Sequence, residues 1–281
     1  VELRPATEAD LAAEEAVFRA AIGEVYERHN LAAPTPPPEA FRSHHRHLLR
    51  HDAERCWVAE EGGRVVGYSA ALARGDAWHL ASLFILPEHQ GAGLGKRLLD
   101  AAWGEGYRNR RVLTDAIQPV SNGLYAKRGL IPVAPNLHLG GTGKADAPEL
   151  EATEPDPAVL ASLDLAGYGF DRAVDHAYWQ ELGRCTVWLR GGEPCAYSYA
   201  YPWETIGPVA GVDGNAAADA FRAEVARADG PVSLVVPGSS RELVAAALDA
   251  GLRFTRPPGL LLLGAGVEPP RALAISGYSL F

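Results

Sequence analysis

A chain of 281 residues is long for one domain and comfortable for two, and with 47% hydrophobic residues it can bury a sizeable core in each. Its net charge of −9 argues against a nucleic-acid surface, which needs a basic stripe, and fits a cationic or amine ligand better. Three cysteines, Cys56, Cys185 and Cys195, have no CxxC spacing and predict a reducing, cytoplasmic setting without a disulfide framework; no apolar run approaches the ~18 residues of a membrane span.

In chain order, Leu3 belongs to a short strand and Thr7 caps a helix over residues 8–29. The proline-rich residues 34–38 break the chain. A second helix follows over about 39–50. It sets His44, His47 and His51 on one face, but the intervening His45, Arg46 and Arg50 read as a solvated basic helix, so no metal is expected. Strands follow at about 55–60, 65–74 and 77–86, the first two joined as a hairpin across Gly62-Gly63. After the apolar run 80–86 comes Pro87-Glu88-His89-Gln90-Gly91-Ala92-Gly93-Leu94-Gly95-Lys96. The helical pattern Leu94, Leu98, Leu99, Ala102, Trp103 then extends toward Tyr107. A strand over 112–116, a helix over 120–127 and a strand pair near 131–140 complete a mixed α/β unit. Residues 140–157, rich in Gly, Pro, Asp and Glu, mark a boundary that gives domains 1–143 and 144–281.

A strand, a glycine turn and a helix start together make an anion cradle: glycines allow close approach and positive φ, and the first helical amides have no internal partner. Neither nucleotide pattern fits. A P-loop requires glycine where Gln90 stands and a hydroxyl where Arg97 stands. A dinucleotide fingerprint requires glycine at Lys96 or Leu98. What Gln90, Gly93 and Gly95 do resemble is the Gln/Arg-x-x-Gly-x-Gly/Ala motif of the GNAT acyltransferases.

That resemblance implies acetyl-CoA as the acyl donor, with its pyrophosphate on residues 90–96 (Gln90, Gly91, Ala92, Gly93, Leu94, Gly95, Lys96). Its pantetheine arm would lie along Leu83, Phe84 and Ile85, the Leu83 amide serving the thioester carbonyl. Ser121-Asn122-Gly123-Leu124-Tyr125-Ala126-Lys127-Arg128-Gly129-Leu130 resembles the family's Leu-Tyr-x-x-x-Gly-Phe element. It implies Tyr125 as general acid toward the sulfur, with Asn122 and Lys127 as further cofactor contacts. One branch of the family places a Glu base eleven residues before the motif Gln; His79 stands there and is the candidate base. The first two helices usually wall the acceptor site, which nominates Tyr26, Glu27 and His44 for substrate contact.

The chain also repeats itself. Residues 56–71, CWVAEEGGRVVGYSAA, align with residues 185–200, CTVWLRGGEPCAYSYA, and Gly129 and Gly251 each follow a helix. The expectation is two tandem GNAT-like domains, each a mixed, mostly antiparallel twisted sheet flanked by helices, the second degenerate. Carried forward, the offset puts Asp219 to Glu224 opposite Gln90 to Gly95, without glycine and with two carboxylates, and Ala247 opposite Tyr125. Tyr197, Tyr199, Tyr201 and Trp203 alternate as a core face. The expected reaction is acetyl transfer to a small-molecule amine, by a monomer or homodimer. An acetyl-CoA sensor, a partner-binding scaffold and a protein N-acetyltransferase are the alternatives.

Overall fold

The computed structural model describes all 281 residues, in two compact units. Unit 1 comprises Val1–Val112 and Ile117–Arg128; unit 2 comprises Leu113–Ala116 and Gly129–Phe281.

Unit 1 holds β1 (Glu2–Pro5), α1 (Leu11–Arg28), α2 (Pro38–Asp52), β2 (Cys56–Glu61), β3 (Arg64–Arg74), β4 (Ala77–Ile85), α3 (Leu94–Ala102), the start of β5 (Asn109–Asp115) and α4 (Pro119–Ala126). Neighbours β1 to β4 pair antiparallel, while β4 and β5 run parallel. Thr7 acts one turn earlier than a simple cap: residues 8–10 form a 3-10 turn, and the Asp10 carboxylate accepts from the Thr7 amide (2.9 Å) and hydroxyl (2.8 Å). The third helix stops at Ala102, short of Tyr107, because Gly104 and Gly106 turn the chain with positive φ. Strand register sets Tyr68, Ala70 and Leu72 on one face with Phe84, Ser82 and His79. On the opposite face Ser69 donates to the Leu98 carbonyl (3.0 Å) and Trp78 to that of Ala102 (3.0 Å), which fixes α3 to the sheet.

Unit 2 continues with β6 (Ile131–Gly141), β7 (Glu151–Thr153), α5 (Pro157–Gly167), α6 (Ala173–Leu182), β8 (Arg184–Arg190), β9 (Glu193–Ala200), β10 (Thr205–Gly211), α7 (Gly214–Arg227), β11 (Val232–Pro237), α8 (Arg241–Asp249), β12 (Arg253–Phe254), β13 (Gly259–Leu263) and β14 (Leu273–Ala274). The sheet runs β7-β8-β9-β10-β11-β6-β13, with β12 on β6 and β14 on β10. Its core is built from the alanine-rich α7 and α8 packed on the strands.

The strand pair expected near 131–140 is one long strand, β6, and it pairs with β11, β12 and β13. By packing, β6 groups with unit 2, as do Leu113–Ala116. Composition shows where a chain cannot bury much; it does not show which sheet a strand joins.

The repeat is visible in three dimensions. Gly62-Gly63 and Gly191-Gly192 both form two-residue turns with positive φ at both positions, the geometry that matches strand twist. Each hairpin then carries one extra residue at the same place, Val66 in β3 and Cys195 in β9. A second bulge lies in the fourth strand of each copy, at Ala81 in β4 and between Ile206 and Val209 in β10.

Candidate active site

The pairing of β4 with β5 starts at Ala77↔Asn109 and stops at Leu80↔Val112. Residues 81–85 are thus paired only with β3, and Leu83, Phe84 and Ile85 are half-buried there. The bulge at Ala81 sits where the pairing with β5 ends, and a bulge bends its strand and strengthens its twist. The result is a strand segment whose second edge of amides and carbonyls is available to an extended ligand.

The loop after β4 ends at Gly93, which precedes α3 in the left-handed conformation (φ 79°, ψ 4°) and offers no side chain to the helix. A Cβ at Gly91 or Gly93 would meet open space, so both glycines are there for conformation and approach. At Gly95 a Cβ would stand 3.2 Å from Ile85 Cδ1 and 3.7 Å from Leu124 Cδ2, so that glycine lets the helix close onto strand and α4. The first amides of α3 are left without a side-chain cap, at the positive end of the helix dipole. This fits a diphosphate.

The side chains of the loop are arranged differently from the expectation. Gln90 turns back and donates from Nε2 to the Ile85 carbonyl (3.0 Å), so it straps the strand end to the loop. Lys96 pairs with Asp100 (2.7 Å), which also holds Arg128. Gly91, Ala92 and Gly93 are exposed, Leu94 is buried and Gly95 half-buried, and Lys96 stays in solvent alongside its ion pair.

Tyr125 lies on the last turn of α4 and is buried. Burial pushes its phenol well above the usual tyrosine range, partly offset by a hydrogen bond with Ser121. Asn122 is half-buried one turn earlier, and Lys127 is exposed just past the helix end. His79 is 1% exposed and lies within the doubly paired part of β4, so the structure does not bring it to the open segment 81–85. Tyr26 is packed with Ile22, Val25, Phe18 and Phe84 in an apolar cluster; Glu27 is exposed and His44 half-buried. No three His, Cys, Asp or Glu side chains come together as a metal site.

The α2 face is a correction. His45, expected in solvent, is buried and stacked on Phe41 (centroids 4.2 Å apart). Its Nδ1 lies 2.9 Å from Glu14 Oε2 and its Nε2 3.4 Å from Ser82 Oγ. The sequence signal was present: Phe41, His45, Leu48 and Asp52 form the buried stripe of this helix.

In unit 2 the expected register of residues 219–224 does not hold. Both carboxylates lie inside α7, Asp219 paired with Arg190 (2.6 Å) and Arg222 (2.8 Å), and Glu224 buried against Arg184 and Ser198. The residue preceding α7 is Asp213, whose carboxylate accepts from the Ala216 amide (2.8 Å). The parallel pairing of β10 with β11 stops after Ile206↔Leu234, and beyond it β14 pairs with β10 through Val209↔Ala274 and Ala210↔Leu273. Ile275 donates to the Val235 carbonyl of β11 (3.0 Å). Tyr197, Tyr199 and Tyr201 are buried as expected, whereas Trp203 is 57% exposed and stacks on Tyr201 (4.7 Å).

The fourth strand of unit 1 thus bulges and frees its edge, and an uncapped glycine turn and helix follow it. Residues 52–129 match a family model described as an acetyltransferase (GNAT) domain. Solved structures agree in fold over both units. A Pyrococcus horikoshii protein assigned as an acetyltransferase superposes with a TM-score of 0.78 at 15% identity, over 100% of this chain and 95% of its own. A GCN5-related N-acetyltransferase from Sphaerobacter thermophilus gives 0.63 at 16%, over 96% and 98%. A tandem GNAT protein from the clavulanic acid biosynthesis pathway gives 0.58 at 15%, over 95% and 99%. At these identities the likeness is one of fold. No curated protein matches in sequence.

Proposed function

We propose that unit 1 transfers an acetyl group from acetyl-CoA to a small-molecule amine, and that unit 2 is a worn copy that binds no acyl donor. The observation that carries this reading is the conjunction of the bare helix start at Gly93 with the free β4 segment 81–85. Acetyl-CoA supplies an activated thioester, so the protein has to position, polarise and manage protons. The amides at the start of α3 would hold the diphosphate, the edge of residues 83–85 the extended arm, and the Leu83 amide the thioester oxygen, a single-donor contact of the kind worth ~2.7–4 kcal/mol when aligned.

Tyr125, buried on the last turn of α4 with its phenol held protonated above the usual tyrosine range, is the candidate proton donor toward the leaving thiolate. It is suited to donating a hydrogen bond to the departing sulfur. Unit 2 lacks each of these parts: Asp213 caps its helix, β14 lines the free edge of β10, and Ala247 stands on the last turn of α8. Three free, buried cysteines, their thiols pushed up by burial, suit a reducing compartment such as the cytoplasm. No helix is long and apolar enough to cross a membrane.

Calorimetric titration of acetyl-CoA into the intact chain tests the reading. One site per chain is expected. Two sites would refute the worn second copy, and no binding at millimolar concentration would refute the acyltransferase reading.

A further inference from the structure

Three groups far apart in sequence form a buried line in unit 1. Glu14 is on α1, His45 on α2 and Ser82 on β4, and each is at least nine-tenths buried. Glu14 Oε2 meets His45 Nδ1 at 2.9 Å, and His45 Nε2 meets Ser82 Oγ at 3.4 Å. The buried Tyr68 ring lies beside His45, its centroid 5.4 Å from that of the imidazole. Ser82 immediately precedes Leu83, on the segment of β4 that β5 leaves free.

The second copy is an internal control. It too has a carboxylate on its first helix and a histidine on its second: Asp164 of α5 and His176 of α6, 2.9 Å apart. There the carboxylate is saturated. Arg172 donates to it from its guanidinium (2.9 Å) and backbone amide (3.0 Å), and Tyr197 from its hydroxyl (2.6 Å). The histidine ends on Tyr199 (2.8 Å) of the third strand, and the fourth strand carries Pro208 where β4 carries Ser82. The acid–histidine pair thus fastens the helices to the sheet in both copies. Only in unit 1 is the carboxylate left without an arginine, and only there does the imidazole face a hydroxyl on the fourth strand.

We infer that Glu14, His45 and Ser82 form a proton relay for acyl transfer, in which Ser82 receives the acceptor's proton and His45 and Glu14 are positioning residues behind it. This rests on the acetyl-transfer reading above. A carboxylate on Nδ1 fixes the tautomer that leaves Nε2 free to accept. The acceptor nitrogen forms its bond to the acetyl carbon, the carbon–sulfur bond breaks, and the sulfur keeps the electron pair. The nitrogen's proton passes to Ser82 Oγ as the hydroxyl proton moves to His45 Nε2. It returns by the same path and ends on the sulfur, so that amide and thiol are the only products. The 3.4 Å span is that of a catalytic contact before substrate tightens it. The titratable groups around the ring are Glu14 from α1, His44 on α2 and Tyr68 from β3, and Cys56 of β2 lies near Glu14.

The test follows the His45 ring nitrogens and the amides of residues 93–96 by nitrogen-15 NMR of the intact protein while acetyl-CoA is added. The expected result is movement of both, with the His45 response lost in Ser82→Ala and kept in Ser82→Thr. Movement of the loop amides with a silent His45 would overturn the relay and leave the acyl-donor site standing. Silence at both would overturn the acyl-donor reading itself. With an amine the wild-type protein acetylates, Ser82→Ala and His45→Gln should each lower kcat at least ~100-fold at unchanged KM for acetyl-CoA, and Ser82→Thr should recover part of it. Ser82→Ala removes one hydroxyl and keeps the decision open if His45→Gln fails to fold. An unchanged kcat in Ser82→Ala would overturn the relay.

Discussion

Gly93 and Asp213 occupy equivalent points of the two copies, each the residue that leads from the fourth strand into the next helix, and they treat that helix in opposite ways. Gly93 is left-handed and leaves the first amides bare; Asp213 is extended and hydrogen-bonds to the Ala216 amide through its own carboxylate. One helix start is open to an external anion, while the other carries an internal one.

This contrast can be transplanted. Gly93→Asp should lower acetyl-CoA affinity at least ~10-fold by placing a negative charge at the diphosphate position, while aspartate tolerates the left-handed backbone well enough to keep the fold. Asp213→Ala should destabilise the protein by about 1 kcal/mol through loss of the cap and leave acetyl-CoA affinity unchanged. Titration calorimetry and thermal melts of the two variants separate these effects. Wild-type affinity in Gly93→Asp would mean that the diphosphate lies elsewhere.

Tyr125→Phe removes one hydroxyl from a buried position on α4. If that hydroxyl hydrogen-bonds the leaving sulfur, kcat should fall at least ~10-fold with little change in KM for acetyl-CoA. Steady-state kinetics with any accepted amine would decide it. A KM effect alone would make Tyr125 a binding residue.

The buried tyrosines predict alkaline unfolding. Burial raises Tyr68, Tyr125, Tyr197, Tyr199 and Tyr201 above their ordinary value of 10.0. A folded value above the unfolded one means that the stabilisation is complete below pH 10 and is lost as pH rises beyond it. Phenolate absorbance from these rings should therefore appear together with loss of far-ultraviolet dichroism. Their titration near pH 10 with dichroism intact would contradict the burial.

Arg172 is the counter-charge of a sealed cluster in unit 2. Arg172→Met should destabilise the protein by about 3–5 kcal/mol, because Asp164 stays buried with its main partner gone. Asp164→Asn in the same background should recover part of that loss. Denaturant titration of the single and double variants measures the coupling.

The parts of this architecture written within a few residues of one another were legible in the sequence. The Gly-Gly turns declare both hairpins, and the glycine loop declares the helix start. The offset taken from the hairpins failed further on, because Val209 rather than Val212 stands opposite Ser198, and Asp213 rather than Arg222 precedes the helix. Small deletions in loops move a register without leaving a mark in composition. The line from Glu14 through His45 to Ser82 joins three elements, and only the buried stripe of α2 hinted that His45 turns inward. The two-residue β14 has no periodicity at all, and its place is set by pairing with a strand some sixty residues away.

That short strand changes what kind of quantity its slot contributes. In unit 1 the free energy of docking an extended ligand on β4 would be available only in proportion to the ligand present, so the unit's melting point should climb with the logarithm of acetyl-CoA concentration. In unit 2 the corresponding bonds on β10 are made by Leu273 and Ala274, covalently tethered and therefore at fixed effective concentration. Ligand-linked stabilisation should therefore be confined to hydrogen-exchange protection in unit 1.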